Sequence, residues 1–227
     1  MKKAKIILLI SVLVCIAGTA VFIIISPARV PVHYNFSGEV DRVGSKYENI
    51  IVPVVATGIG VFFAVSSENS LKKGLVSNAK IVLYSGIVTV LFLTAIGFYL
   101  MWKALSYIPG EERAVTPGVI NKLTSIGIGI LLIALGNIMP KARRNSLVGI
   151  RTTWSLANDT VWQKSQRFGG IVSVAGGFLQ VVLSLFVPGM WNILVMTVVI
   201  AVIAILSVVA SRKYYREYTE GEKEGEK

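Results

Sequence analysis

The sequence predicts an all-α membrane protein with six transmembrane helices and both termini in the cytoplasm. Three observations lead to this fold class. The 227 residues are 54% hydrophobic and only 15% charged, whereas roughly a quarter of the residues in a soluble domain carry charge. Six apolar runs contain no Asp, Glu, Lys, Arg or His. Lys and Arg are concentrated in alternate connections between these runs.

Each apolar run approaches the length that a transmembrane helix needs. About 20 residues rising ~1.5 Å each cross a hydrocarbon core of ~30 Å, and the shorter runs need help from flanking residues. Buried helices of soluble proteins are usually shorter and keep a polar face. The predicted spans are Ile6–Ile25, Ile50–Ser66, Ile81–Met101, Leu123–Met139, Gly169–Val187 and Trp191–Ala210.

The distribution of positive charge predicts the orientation. Of the 23 Lys and Arg residues, 17 precede the first run, follow the last, or lie in the second or fourth connection. The other 6 lie in the alternate loops. Because cytoplasmic loops carry the excess of Lys and Arg, this split places both termini inside. It also explains much of the net charge of +11 without nucleic acid.

The runs and loops divide the chain into four parts. The first run begins like a signal peptide, but it continues to Ile25, past a usual signal-peptide core, so we expect it to remain as a helix. The parts are an N-terminal transmembrane hairpin (1–66) with an extracellular loop (26–49), a middle linker with the third helix (67–118), a three-helix domain (119–210) with a basic cytoplasmic loop (140–168), and a charged tail expected to be disordered (211–227).

The composition argues against an enzyme. The chain has one cysteine, Cys15, and one histidine, His33. No Ser-His-Asp set, acid pair, Cys-His pair or metal-ligand spacing is visible in the sequence. We therefore expect no catalytic residues, no cofactor and no metal. His33 is interpreted either as an interface residue hydrogen-bonded locally or as a contact to a partner.

The stretch "NIMPKARRNSLVGIRTTW" is unusually charged for a chain this apolar. Its arginines could contact anionic lipid headgroups, each contact being worth about 1 kcal/mol. That role does not require Asn145, Gly149 and Trp154, which together indicate an ordered loop. Asn158 or Asp159 can cap the helix that follows.

The longer segment from Gly136 to Gly170 resembles the signature of the SdpI immunity-protein family. One departure is visible: a histidine often precedes the basic residue before the glycine pair, where this chain has Gln166. The signature residues singled out as candidates for a cytoplasmic partner site are Asn137, Pro140, Asn145, Gly149, Arg151, Thr152, Trp154 and Trp162.

A second stretch, "PVHYNFSGEVDRVGSK", resembles the short extracellular motif of an N-terminal domain of unknown function. This domain often accompanies the SdpI domain. The matching residues are Pro31, His33, Asn35, Gly38, Asp41, Ser45 and Lys46.

The resemblance implies a multi-pass protein of the bacterial cell membrane that protects against a membrane-active peptide toxin. Some family members also hold a small transcriptional repressor at the membrane. The expected partners are therefore the bilayer, a secreted peptide and a cytoplasmic repressor, with no direct contact to nucleic acid. Arg151 and Trp154 are the expected inner contacts, and His33, Asn35 and Asp41 the outer ones.

Two other functions remain open at this point. The chain could be a transporter or exporter of a peptide or lipid, or an accessory protein of the envelope-stress response. Coupled transporters usually place ionisable groups near the membrane midplane. Here Gln180 is the strongly polar residue at depth, which makes a proton-coupled carrier the weaker alternative.

Overall fold

The computed structural model describes residues 1–35, 39–108, 118–145, 147–189 and 191–225. Within them are six helices that are long and apolar enough to cross a membrane, which confirms the predicted helical membrane fold with six spans. The helices are α1 (Lys2–Ile25), α2 (Ile51–Lys72), α3 (Val76–Leu105), α4 (Val119–Ile138), α5 (Asp159–Phe186) and α6 (Trp191–Gly225).

The helices extend beyond the predicted apolar runs because polar turns continue them. α5 begins ten residues before the predicted span, and α6 continues through the charged tail to Gly225. The expectation of a disordered tail is therefore wrong for residues 211–225. Two ion pairs one helical turn apart, Lys213–Glu217 and Arg216–Glu220, favour the helix there.

The six helices pack as two groups of three. α1, α2 and α3 contact one another, as do α4, α5 and α6, and α3 also contacts α4. The core of the first group contains Cys15, Leu83 and Val90, each fully buried. The cysteine therefore acts as a small apolar side chain between helices.

The α2–α3 connection is a glycine-terminated turn. Gly74 has a φ of +72°, and its N–H donates to the Leu71 carbonyl at 2.9 Å. The Leu75 N–H donates to the Ser70 carbonyl, also at 2.9 Å. This pair of hydrogen bonds satisfies the last carbonyls of α2 and reverses the chain.

Glycines allow close packing between α4 and α5. A Cβ at Gly177 would lie 2.5 Å from the Gly129 carbonyl oxygen. One at Gly170 would lie 2.6 Å from the Gly136 carbonyl oxygen. Lipid provides no hydrophobic drive for helix association, so small residues that admit backbone contact stabilise the pair instead.

Replacing Gly177 by leucine is expected to separate α4 from α5 and destabilise the second group of helices by about 2 kcal/mol or more. Thermal unfolding in detergent would measure the loss. The matched control is Gly58→Leu in α2, where an added Cβ meets nothing within 4 Å. Equal losses in both variants would show that the α4–α5 contact is not the cause.

Two short strands occupy the loop that was expected between the first two helices. Strands β1 (Arg29–Tyr34) and β2 (Val40–Ser45) pair antiparallel and form a hairpin. Val30 is fully buried against Phe22, Met101 and Ala104, so it anchors β1 to α1 and α3. A 3-10 turn at Lys46–Ile50 then leads into α2.

The hairpin and the 140–168 loop lie at opposite ends of the helices. Lys5, at the start of α1, forms an ion pair with Glu68, near the end of α2. At this same end the Arg143 N–H donates to the Asn78 side chain at the start of α3, over 2.9 Å. The hairpin follows the other end of α1. We call the two regions the basic end and the hairpin end.

Candidate functional sites at the two ends

A side-chain-stabilised turn starts the structured part of the basic loop. The Asn145 side-chain oxygen accepts hydrogen bonds from the Leu147 and Val148 N–H groups, both at 2.8 Å. Its amide nitrogen donates to the Arg143 carbonyl at 2.8 Å and to the Val148 carbonyl at 3.2 Å. One asparagine therefore satisfies four backbone groups, which explains its place in the signature.

Gln166 holds the next part of the loop against α5. Its side chain is fully buried, accepts from the Ile150 N–H at 2.9 Å and donates to the Ile150 carbonyl at 2.8 Å. The neighbouring Gly149 has a φ of +106°, and a Cβ there would lie 2.1 Å from the Gln166 side-chain oxygen. Glycine is thus required by both backbone conformation and space.

The residues after Ile150 are tied to α6. The buried Ser155 hydroxyl donates to the Ile150 carbonyl at 2.9 Å and accepts from the Thr152 N–H at 2.9 Å. The Thr152 hydroxyl lies 2.9 Å from the Ser211 hydroxyl, and Ser211 is fully buried. A displacement of α6 at this level would therefore reach the loop directly.

The end of the loop is closed by an arginine and a helix cap. The Arg144 guanidinium pairs with Asp159 at 3.0 Å and donates to the Leu156 and Ala157 carbonyls at 3.1 Å. Asn158 is the N-cap of α5, accepting from the Val161 N–H at 2.8 Å. Arg144 is thus a structural residue of the loop, and the predicted cap is confirmed.

Trp162 is a core residue of the basic end. It is 1% exposed and packs with Ile81 of α3 and Ala142 of the loop. Its indole N–H donates to the Ala142 carbonyl at 2.7 Å. The ring and the N–H of Trp162 therefore both find partners inside the protein.

Other signature residues remain accessible. The Arg151 side chain is exposed and has no hydrogen-bond or ion-pair partner within the described ranges. Trp154 is half-buried, with the Arg212 guanidinium 5.7 Å from its ring centre. Asn137 and Pro140 are exposed at the end of α4. Arg151 and Trp154 therefore remain the candidates for an inner partner surface.

At the other end, the hairpin carries a polar face. His33 and Asp41 lie on neighbouring strands, with His33 Nδ1 2.6 Å from an Asp41 carboxylate oxygen. Their side chains are 63% and 41% exposed. Asn35 bonds to both the backbone and the side chain of Glu39 at 2.9 Å. The three expected outer contacts thus share one exposed hairpin.

The other hairpin motif residues have structural positions. Pro31 is buried in β1, and Gly38 lies outside the described residues. Ser45 caps the 3-10 turn and forms a capping box with Glu48. The Lys46 ammonium donates to the Ser26 carbonyl at 3.2 Å, joining the hairpin base to the end of α1.

Glu48 binds two partners at the hairpin base. Its carboxylate accepts from Arg42 and from the Ser45 N–H, each at 2.9 Å. These hydrogen bonds hold the pKa of Glu48 below its ordinary value of 4.5, the one from Arg42 contributing most. The position of Glu48 also explains why residue 44 is a glycine, because a Cβ at Gly44 would lie 2.0 Å from a Glu48 carboxylate oxygen.

The lowered pKa predicts acid sensitivity at the hairpin base. The ionised Glu48 carboxylate stabilises the hairpin base fully above the pKa that this group has in the unfolded chain, 4.5. The stabilisation is lost as pH falls through the lower pKa of the folded state. At neutral pH, Glu48→Gln should therefore increase amide hydrogen exchange in β2 relative to the wild type. The difference should vanish once Glu48 is protonated; a difference independent of pH would contradict the ionic contribution.

A groove of about 480 Å³ lies beside the hairpin, lined by Tyr34, Arg42, Val52 and Leu100, among others. The Tyr34 hydroxyl is buried with no hydrogen-bond partner in the described residues. Burial, with a smaller contribution from Tyr99, raises the pKa of Tyr34 to about 12. The groove is therefore lined by apolar and charged side chains and by a phenol that lacks a hydrogen-bond partner among the described residues.

No group of three or more His, Cys, Asp or Glu side chains in the described ranges is arranged to hold a metal ion. His33 Nδ1 lies beside an Asp41 carboxylate oxygen.

The fold and its two ordered ends define a multi-pass α-helical membrane protein. Residues 141–211 match the SdpI/YfhL protein family, and residues 7–57 match a domain of unknown function, DUF1648. The resemblance drawn from the two sequence motifs is confirmed by these matches. The SdpI/YfhL match covers most of the basic loop, the whole of α5, and α6 as far as Ser211. The DUF1648 match covers the β-hairpin.

One curated relative supports the same assignment. The immunity protein SdpI of Bacillus subtilis (strain 168) is 41% identical over 98 residues. The aligned region covers 43% of this chain and 47% of the relative, so the match spans about half the length of that protein. No solved structure matches the chain.

Proposed function

We propose that this protein is an immunity and signalling protein of the bacterial cytoplasmic membrane. It protects the cell from a secreted, membrane-active peptide, with both of its own termini in the cytoplasm. The observation that carries the proposal is the 41% identity to an immunity protein over 98 residues, in a chain whose two family-like motifs form ordered structures at opposite ends. No enzymatic step is part of the proposed function.

The hairpin end is the proposed site for the peptide. A secreted peptide meets this end first, and the exposed pair of His33 and Asp41 offers hydrogen-bonding groups there. The adjacent groove adds apolar side chains, including Val52 and Leu100. A membrane-active peptide is amphipathic, so it can use both kinds of surface.

The basic end is the proposed site for a cytoplasmic repressor. Arg151 is exposed and unpaired among the described residues, and it lies on a loop fixed by Gln166 and Ser155. An arginine held on a rigid backbone is suited to an interface, because little conformational entropy is lost on binding. Contact between Thr152 and Ser211 of α6 provides a connection from the bundle to this surface.

Signalling requires two states of the bundle. A peptide that binds both states equally shifts neither, so the proposed peptide must favour one of them. No charged side chain is buried among the described residues, which supports a binding protein over a proton-coupled transporter.

Survival of a sensitive bacterium tests the proposal. Cells expressing the protein should survive membrane-active peptide toxins that kill cells with an empty vector. A panel of such peptides is needed, and membrane levels should be verified by immunoblot. Survival equal to the vector for every peptide, at verified expression, would reject the immunity function.

A further inference from the structure

A second groove lies at the basic end, on the side of the loop facing α3. The groove measures about 650 Å³. It is formed by the start of α3, the turn after α4 and the first turns of α5. Its lining includes Lys141, Arg143, Arg144, Asp159, Trp162 and Arg167.

The charge of this groove is strongly positive. Four cations line it against one acid, Asp159. Asp159 is already paired with Arg144 at 3.0 Å. Lys141, Arg143 and Arg167 have no carboxylate within ion-pair distance among the described residues, so three positive charges are uncompensated.

The backbone that carries these charges is fixed. The Arg143 N–H is bound by Asn78, and the Ala142 carbonyl accepts from the Trp162 indole. The Lys141 carbonyl accepts from the Ser77 hydroxyl at 3.4 Å. Three residues in succession are therefore held by α3 and α5, so the groove is formed before any ligand arrives.

The groove also continues onto a lipid-facing surface. Arg167 is followed on the same face of α5 by Ile171 and then Phe178, at helical spacings of four and seven residues. Ile171 is 60% exposed and Phe178 65% exposed. Both lie in a helix long and apolar enough to span the membrane. This arrangement matches the shape of a phospholipid, whose charged headgroup would lie beside the cation and whose acyl chains would lie along the exposed apolar residues.

We infer that this groove binds the phosphate headgroup of an anionic phospholipid in the leaflet at the basic end. Lys141, Arg143 and Arg167 contact the phosphate, and the acyl chains lie along Ile171 and Phe178. The inference does not depend on the proposed immunity function, since it rests on the three groove cations that have no ion-pair partner among the described residues. It also gives the basic loop a function separate from the exposed Arg151.

The test uses the full chain in nanodiscs of phosphatidylcholine with increasing phosphatidylglycerol. Retained lipids are then counted by native mass spectrometry. The wild type should retain phosphatidylglycerol in preference to phosphatidylcholine. The double variant R143Q/R167Q should reduce that preference by roughly ten- to thirtyfold, and R143K/R167K should largely restore it.

The control removes the same charge elsewhere at this end, in R212Q/R216Q. Loss of preference in the groove variant but not in the control supports the site. Equal losses would show a general attraction to the surface and overturn it. Inorganic phosphate that abolishes lipid retention in the wild type would show a site for free phosphate, and would also overturn the lipid assignment.

A groove variant that does not enter the membrane would be replaced by K141Q. The Lys141 side chain is exposed, and the contact from Ser77 is to its backbone carbonyl, which the substitution keeps. Unchanged lipid preference in a folded K141Q would count against the proposal, and a reduced preference would support it.

Discussion

Replacement of Gly149 by alanine is expected to destabilise the protein by about 3–5 kcal/mol. Two costs combine. A φ of +106° is a strained conformation for an alanine, worth about 1–3 kcal/mol. The new Cβ would also lie 2.1 Å from the Gln166 side-chain oxygen, so Gln166 must release Ile150. Leaving buried polar groups unpaired costs a further ~1–3 kcal/mol each.

Gly74→Ala separates these two costs. Gly74 also has a positive φ, but an added Cβ there meets nothing within 4 Å. This variant should lose only the backbone contribution, about 1–2 kcal/mol. Thermal unfolding of both variants in one detergent gives the comparison. Equal destabilisation would show that the hydrogen bonds between Gln166 and Ile150 contribute nothing.

Replacement of Trp162 by alanine is expected to cost about 3–5 kcal/mol, as for other large buried aromatic side chains. Trp162 fills the space between Ile81 of α3 and Ala142 of the loop. Its loss should therefore release the loop from both groups of helices. Protease cleavage within the loop should become faster than in the wild type.

Trp162→Phe tests the contribution of the indole N–H. Phenylalanine keeps most of the apolar contact but leaves the Ala142 carbonyl without its donor. An intermediate loss of about 1–3 kcal/mol is expected. A phenylalanine variant as unstable as the alanine variant would show that the shape of the indole ring, which phenylalanine does not reproduce, determines the loss of stability. An alanine variant as stable as the wild type would contradict the core position of Trp162.

Hydropathy alone was sufficient to predict the six helices, because each span must satisfy its own backbone in lipid. The β-hairpin was missed because its strands are short and its burial depends on contacts with α1 and α3. Val30 becomes a core residue only through contact with Phe22 and Met101. Such contacts between distant segments leave no periodic signal in the sequence.

The sequence motifs located the two ends but did not separate structural residues from accessible ones. Asn145 and Trp162 stand beside Arg151 in the signature, yet the first two stabilise the loop and the third is exposed. Gln166 appeared only as a departure from the family pattern. Its pairing with the Ile150 backbone could not be predicted, because it depends on the path of the chain around Gly149.

The C-terminal tail shows a second reason why the structure differs from the prediction. Its composition favours disorder, whereas α6 extends through it to Gly225. The helix is already formed in the preceding apolar segment, so the tail needs propagation but no new nucleation. A composition measured over the tail alone does not include this contribution.

We propose that Arg151 acts through a partner and does not support the fold. The most direct measurement is toxin survival of cells expressing Arg151→Ala, with membrane levels measured in parallel. The matched control is Lys80→Ala, which removes an exposed positive charge at the same end but outside the loop. We predict unchanged levels for both variants, and survival on the order of tenfold lower for Arg151→Ala alone. Full survival at normal levels, or a loss of the protein itself, would contradict the claim.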